Sequence, residues 1–409
     1  MTKYERRCRK SVGKLIERIE YLDKIAGFKD KDLIKTLTGV RRSGKSTLLR
    51  LYQNRLMEQG VKEEQIISVN MEDLRFEDLH DYHKLYDYIC SHLVADQMNY
   101  IFIDEIQEIE SFEKALNSLQ LKENTDIYIT GSNSRMFSGE LSTRLSGRYV
   151  EIPVYPFTFA EFLKMNPGDS EERFMQFMQI GGLPAAIDLD EERRTEYLRG
   201  IFNTVLLKDV VERRRFSDVV LMETLSRYLA DNISNPTSAK EIADCLTSAG
   251  RKTTPVTIEN YLGALEDSFL VFAVSRYDLK GKRILERQEK YYFGDLGLRY
   301  FLSGNRFCDL GRVLENVVFL ELKKRGYSVH TGRAGNEEVD FVAEKGDEVL
   351  YFQVGASVLD ENTRERELRP FEKIKDNYPK VLLTLDKLPM TDGGIIHQNI
   401  VDFLLEVLA

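Results

Sequence analysis

Tryptophan is absent from the 409 residues, cysteine occurs four times and proline nine times. The cysteines, Cys8, Cys90, Cys245 and Cys308, lie far apart and form no Cys-x-x-Cys pair. This spacing argues against a zinc site or a disulfide framework and points to a reducing, cytoplasmic compartment. No apolar run reaches the length of a membrane-spanning helix, so no membrane partner is expected. Residues 1–7 contain no apolar signal core. Positive charge is not in excess: the net charge of −9 excludes a uniformly basic nucleic-acid coat and leaves room only for local basic surface. Internal repeats and low-complexity segments are lacking too. The chain has instead 42% hydrophobic and 31% charged residues, with aromatic content carried by Tyr and Phe. That balance suits a soluble globular chain of roughly two to four domains.

The most informative run is Gly39-Val40-Arg41-Arg42-Ser43-Gly44-Lys45-Ser46, followed by Thr47. It fits the phosphate-loop template of glycine, four residues, glycine, lysine and a hydroxyl residue. Residues 33–38 before it read as a buried strand, and a helix opens at Thr47 and continues to Gly60. In that setting residues 39–47 cradle a triphosphate with backbone N–H groups, and the helix dipole favours its charge. Lys45 is expected to reach the β- and γ-phosphates, and Ser46 to hold Mg²⁺. ATP and Mg²⁺ are thus the cofactors the sequence implies.

Residues 99–105, Asn-Tyr-Ile-Phe-Ile-Asp-Glu, form an apolar run ending in two carboxylates. This is the Walker B arrangement, a buried strand delivering acids at its C-terminal end, where ligands of open parallel sheets bind. Asp104 is expected in the Mg²⁺ shell and Glu105 as the general base that polarises water. Residues 126–133 form a further strand ending in Gly131-Ser132-Asn133, with Asn133 or Ser132 as a sensor of the γ-phosphate; plain turn chemistry is the alternative. Arg144 and Arg148 follow, and either can stabilise charge on the transferring phosphoryl group, from its own chain or from a neighbouring copy in a homo-oligomer. Surface arginines are the plain alternative. Residues 65–70 and 149–154 complete five strands alternating with helices, which predicts a parallel sheet covered on both faces.

With these motifs the chain resembles the prokaryotic P-loop ATPases of the AAA/STAND-related kind. The resemblance rests on the phosphate loop, the Asp104-Glu105 pair and the Thr130-Gly131-Ser132 strand end. Residues 153–162, with Gly181-Gly182-Leu183-Pro184, are similar to linker signatures of one branch, which carries an uncharacterised C-terminal domain. The resemblance also draws attention to Asp209 and Arg213, one helical turn apart, as a link between a helical lid and the ATP site; a surface ion pair is the alternative.

Residues 171–215 read as the helices of a lid. Beyond them, residues 219–229, a helix capped by Ser238 and residues 256–265 give three short helices. Apolar strands flank Lys280-Gly281-Lys282-Arg283 and complete a winged-helix pattern. Arg251, Lys252, Lys280, Lys282 and Arg283 can neutralise phosphates, whereas Glu259, Glu266 and Asp267 on the third helix repel DNA. DNA contact and a protein-packing role both stay open.

In the last segment a helix carrying Glu315 precedes a strand carrying Asp340 and another ending in Gln353-Val354-Gly355. This order resembles the restriction-endonuclease-like fold, whose nucleases use two metal-binding carboxylates and a lysine that helps activate water. Here the last triplet has an amide for the acid and no lysine. An inactive relic is expected, one that offers a surface to a protein partner. The charged run 361–367 is expected to pair internally, and no further ligand stands near His80 and His83 to make a metal site. The expected α/β architecture is therefore a P-loop ATPase domain (1–165), a helical lid (166–216), a winged helix (217–288) and an inactive nuclease-like domain (289–409). The expected function is an ATP-hydrolysing switch with a C-terminal interaction domain; ATP-dependent DNA binding or processing is the alternative.

Overall fold

A computed structural model describes residues 15–132, 145, 147–207, 218–281, 283–304, 306, 309–388 and 391–406. The chain separates into two compact units: residues 1–154 with 267–269, and the remainder.

Among the described residues the first unit contains a five-stranded sheet built from β1 (Ile34–Thr38), β2 (Ile66–Asn70), β3 (Asn99–Asp104), β4 (Thr125–Thr130) and β5 (Tyr149–Pro153). All pairings are parallel, in the order β2-β3-β4-β1-β5. The expected covered parallel sheet is therefore present. Its apolar runs split by the period of two that a pleated strand imposes. Ile101, Ile103, Ile127 and Ile129 join one core with the helix Phe112–Gln120. Tyr100, Phe102 and Tyr128 join the other with Leu48, Leu49 and Tyr52 of the helix Lys45–Glu58. Near-continuous hydrophobic strands are what a sheet buried on both faces requires.

Among the described residues the second unit holds an eight-stranded mixed sheet made of β6 (Val271–Asp278), β7 (Arg283–Phe293), β8 (Ser328–Ala334), β9 (Glu337–Lys345), β10 (Glu348–Val354), β11 (Lys380–Thr384), β12 (Thr391–Asp392) and β13 (Ile395–Asn399). Their order is β12-β13-β11-β10-β9-β8-β6-β7. The hairpin β6–β7 pairs in parallel with β8 through Arg276, Tyr277 and Asp278. β7 thus runs straight through position 288/289, where the sequence reading sets a domain boundary.

Helices precede this hairpin at Val219–Asp231, Ala239–Ser248 and Pro255–Asp267. Ser238 caps the middle one, accepting from Glu241 N–H at 3.2 Å while the Glu241 carboxylate accepts from Ser238 N–H at 2.8 Å. Earlier helices lie at Phe159–Met165, Ser170–Ile180 and Glu191–Thr204, and the last two pack on the helix Leu296–Leu302, which Asp295 caps. Its carboxylate accepts from Gly182 N–H at 2.8 Å and Leu298 N–H at 3.0 Å. A Cβ on Gly182 would lie 2.2 Å from Phe157 O, so only glycine permits this approach. The two linker signatures meet here, Phe157 N–H donating to Gly182 O at 2.7 Å.

Candidate nucleotide site

β1 delivers the chain into the phosphate loop, and its geometry explains the glycines. Gly39 has φ 134°, and a Cβ there would lie 2.2 Å from Val154 O. Gly44 adopts φ 100° as the N-terminal cap of the helix Lys45–Glu58. The first intrahelical bond is Leu48 N–H to Gly44 O at 2.9 Å. The N–H groups before it have no partner within the helix, the arrangement that receives an anion. Arg42 also takes a left-handed conformation, φ 67°. Val40 and Ser43 are buried; Ser46 is exposed and Thr47 half-buried. The loop is tied from outside: Arg41 donates to Glu72 at 3.0 Å, and Arg18 donates to Ser43 O at 3.3 Å.

Lys45 donates to Gly39 O at 2.9 Å and Val40 O at 3.1 Å, so its ammonium lies across the mouth of the loop. Ser46 donates to Asp104 Oδ1 at 3.0 Å. The Thr130 hydroxyl donates to the same oxygen at 2.5 Å and accepts from Glu105 N–H at 2.9 Å. Strand order accounts for this meeting: β4 lies between β1 and β3, so its last residue stands between the two motifs. Burial raises the Asp104 pKa against the lowering effect of the Thr130 and Ser46 bonds.

Glu105 sits at φ 55° immediately after β3. Its carboxylate accepts from the Gln107 side-chain amide, which also donates to Ser132 Oγ at 3.3 Å. The structure therefore brings Lys45, Ser46, Asp104, Glu105 and Ser132 to one edge of the sheet. Sequence reasoning names Thr130 only as part of a strand end, without a role, and passes over Gln107 and Arg18. A polar residue closing an apolar strand was the available signal for Thr130; nothing local marks the other two.

Asn133 and Arg144 lie outside the described residues, as do Asp209 and Arg213. Arg148 is exposed and precedes β5, where its carbonyl accepts from Ile34 N–H at 2.9 Å at the start of β1. That is the sheet edge opposite the phosphate loop, a strand length of about 15 Å away. Arg148 is thus misplaced for a role in its own chain's site, because the parallel sheet separates the two edges; only supply from a neighbouring copy remains open to it.

Residues 31–163 match the family model described as an AAA domain. Residues 171–308 and 310–397 match two domains of unknown function, DUF8612 and DUF4143. An uncharacterized protein of Haemophilus influenzae is 40% identical over 96% of this chain and 99% of its own length. The chain belongs to the AAA-domain P-loop ATPase family. A second relative in it, uncharacterized protein MJ1544 of Methanocaldococcus jannaschii, is 30% identical over 84% of this chain and 79% of its own. Among solved structures, the Walker-type ATPase PABY2304 of Pyrococcus abyssi shares the fold, with a TM-score of 0.50 and 18% identity over 70% of this chain and 96% of that one. The AAA-domain family binds ATP, and the loop geometry agrees. Among the described residues no helix is long and apolar enough to cross a membrane.

Proposed function

We propose that the chain is a Mg²⁺-dependent ATP-hydrolysing switch whose second unit passes the nucleotide state to a partner protein. The observation that carries this reading is the 3.0 Å contact between Ser46 and Asp104. A helix start and a strand end bring to one point the hydroxyl and carboxylate that hold Mg²⁺ in phosphate-loop enzymes. Burial disfavours the Asp104 charge, a cost that an adjacent cation removes. The residues present fit the group: Ser46 and Asp104 would hold Mg²⁺, which when bound neutralises charge on the β- and γ-phosphate oxygens. Lys45 exchanges the Gly39 and Val40 carbonyls for phosphate oxygens. Glu105 takes the proton of the attacking water. Asn133 or Ser132 senses the γ-phosphate. Arg144, or Arg148 from a second copy in a homo-oligomer, stabilises the transferring group.

Calorimetry on Lys45→Ala tests the reading: loss of Mg-ATP binding is expected, and normal affinity would refute the site. Glu105→Gln should keep binding and lose turnover by about 10²–10⁴-fold.

The helix–strand–strand order carrying Glu315, Asp340 and Gln353 supports a restriction-endonuclease-like fold without cleavage. The Gln353 amide oxygen accepts from Asp340 N–H at 3.3 Å and its nitrogen donates to Glu367 at 2.9 Å, so neither end is free for a metal. Plasmid nicking in Mg²⁺ or Mn²⁺, abolished by Asp340→Ala, would overturn this.

ATP-driven DNA binding or processing is the second reading, favoured by three helices leading into a hairpin with Lys252 and Lys280 exposed. Against it, Arg251 is committed to Asp218 at 2.5 Å, and the hairpin is bonded into the large sheet. The winged-helix segment is therefore read first as a packing module. Retardation of duplex DNA in a gel, weakening steeply with salt, would reverse that order.

A further inference from the structure

The chemistry that the ATP reading leaves unused is concentrated around Lys290 on β7. Its side chain is 4% exposed, with Nζ 3.2 Å from Glu315 Oε2, 2.8 Å from Glu338 Oε1 and 3.6 Å from Asp340 Oδ1. Glu315 comes from the helix Leu310–Lys324; Glu338 and Asp340 are alternate residues of β9 and share one face of the sheet. The surroundings complete the cage. Tyr292 OH donates to Glu315 at 3.1 Å, and the Ser234 hydroxyl donates to the same carboxylate. Arg276 lies 3.5 Å from Glu338, and Val354 N–H donates to Asp340 Oδ2 at 2.9 Å.

We propose that the Lys290 ammonium is a tethered cation standing where a divalent metal ion would stand among Glu315, Glu338 and Asp340. The wild-type chain therefore takes up no metal there, and removing the ammonium opens a site for Mg²⁺ or Mn²⁺. Glu315 and Asp340 are largely buried and Glu338 is 27% exposed; carboxylates gathered this closely repel unless a cation stands among them or one takes a proton, and the Lys290 ammonium supplies the cation. Nitrogen-to-oxygen distances of 2.8–3.6 Å are those of an ammonium; a metal draws oxygens to about 2.0–2.6 Å. Burial alone would lower the Lys290 pKa, yet the surrounding charges of Glu315, Asp340 and Glu338 hold it well above its ordinary value. This goes beyond the nucleotide reading and does not depend on it. It adds a reason for the absence of cleavage, since the chain fills the position a metal would need.

Mn²⁺ binding to the nucleotide-free full chain tests it, by titration and by thermal melting. Wild type is expected to show no Mn²⁺ site that Asp340→Asn removes. Lys290→Ala is expected to melt lower and to regain about 2–4 °C with a tenfold excess of Mn²⁺ over its Kd. In Lys290→Ala with Asp340→Asn that recovery should vanish. A wild-type Mn²⁺ site lost in Asp340→Asn would overturn the proposal, and so would a folded Lys290→Ala indifferent to Mn²⁺. If Lys290→Ala does not fold, the wild-type titration alone decides. Because no nucleotide is present, failure of the ATP reading leaves this result untouched.

Discussion

The Gln107 carboxamide is bonded to the carboxylate of Glu105 and, 3.3 Å away, to the hydroxyl of Ser132. One side chain thus couples the expected base to the end of the neighbouring strand. Gln107→Ala should lower the rate of phosphate release about tenfold while leaving Mg-ATP affinity unchanged, a smaller loss than removal of the base itself. Single-turnover hydrolysis with a parallel binding titration separates the two effects. An unaltered rate would leave Gln107 with no part in positioning.

The two loop glycines should respond differently to a methyl group. At Gly39 the added carbon meets Val154 O at 2.2 Å, so Gly39→Ala forces backbone apart and costs about 2–4 kcal/mol. At Gly44 nothing lies within 4 Å, and the cost of Gly44→Ala is the strain of φ 100° alone, about 1–2 kcal/mol. Urea denaturation of both variants, expected in that rank order, checks the account.

Beneath the first sheet, Lys35 and Asp126 form an ion pair in which both side chains are almost wholly buried. Asp126 also accepts from Tyr128 OH at 2.7 Å and Asp30 N–H at 2.9 Å. Burial lowers the Lys35 pKa, with Asp126 opposing the shift. Lys35→Met strands a buried carboxylate and should cost about 3–5 kcal/mol, whereas Lys35→Met with Asp126→Leu should cost less than the sum of the singles. A double-mutant cycle in guanidinium chloride measures the difference.

Asp295 makes stability depend on pH in the less usual direction for an acid. Burial pushes its pKa from 3.8 to about 6, against the lowering effect of the backbone bonds from Leu298 and Gly182. The folded state therefore holds this proton more tightly than the unfolded state. The stability it contributes is complete below about pH 4 and lost as pH rises through about 6, a change of about 3 kcal/mol for this group. Asp295→Asn should flatten that part of the profile between pH 4 and 7. Urea midpoints of both proteins across that range provide the measurement.

How far the sequence reaches depends on the range of the interaction involved. Residues 99–104 read correctly as a strand because burial on both faces leaves a near-continuous apolar run. Ser238 announces its helix because the capping box is local. The role of Thr130 escapes because its partner Asp104 belongs to another strand, and only sheet order makes them neighbours. Arg148 looks suited to catalysis when only its distance along the chain from the Walker motifs is considered; the direction of β5 puts it at the far edge. Lys290 escapes for the same reason as Thr130: three carboxylates from two other elements converge on it, and none stands nearby in sequence.

The parallel seam between β6 and β8 has a practical consequence for anyone dividing the protein. A stop codon after residue 288 would cut β7 in half, remove Lys290 and strip β6 of its neighbour, leaving raw backbone along its length. The three helices before the hairpin therefore cannot be harvested as a freestanding piece by cutting there, and a truncated gene of that length should yield aggregate.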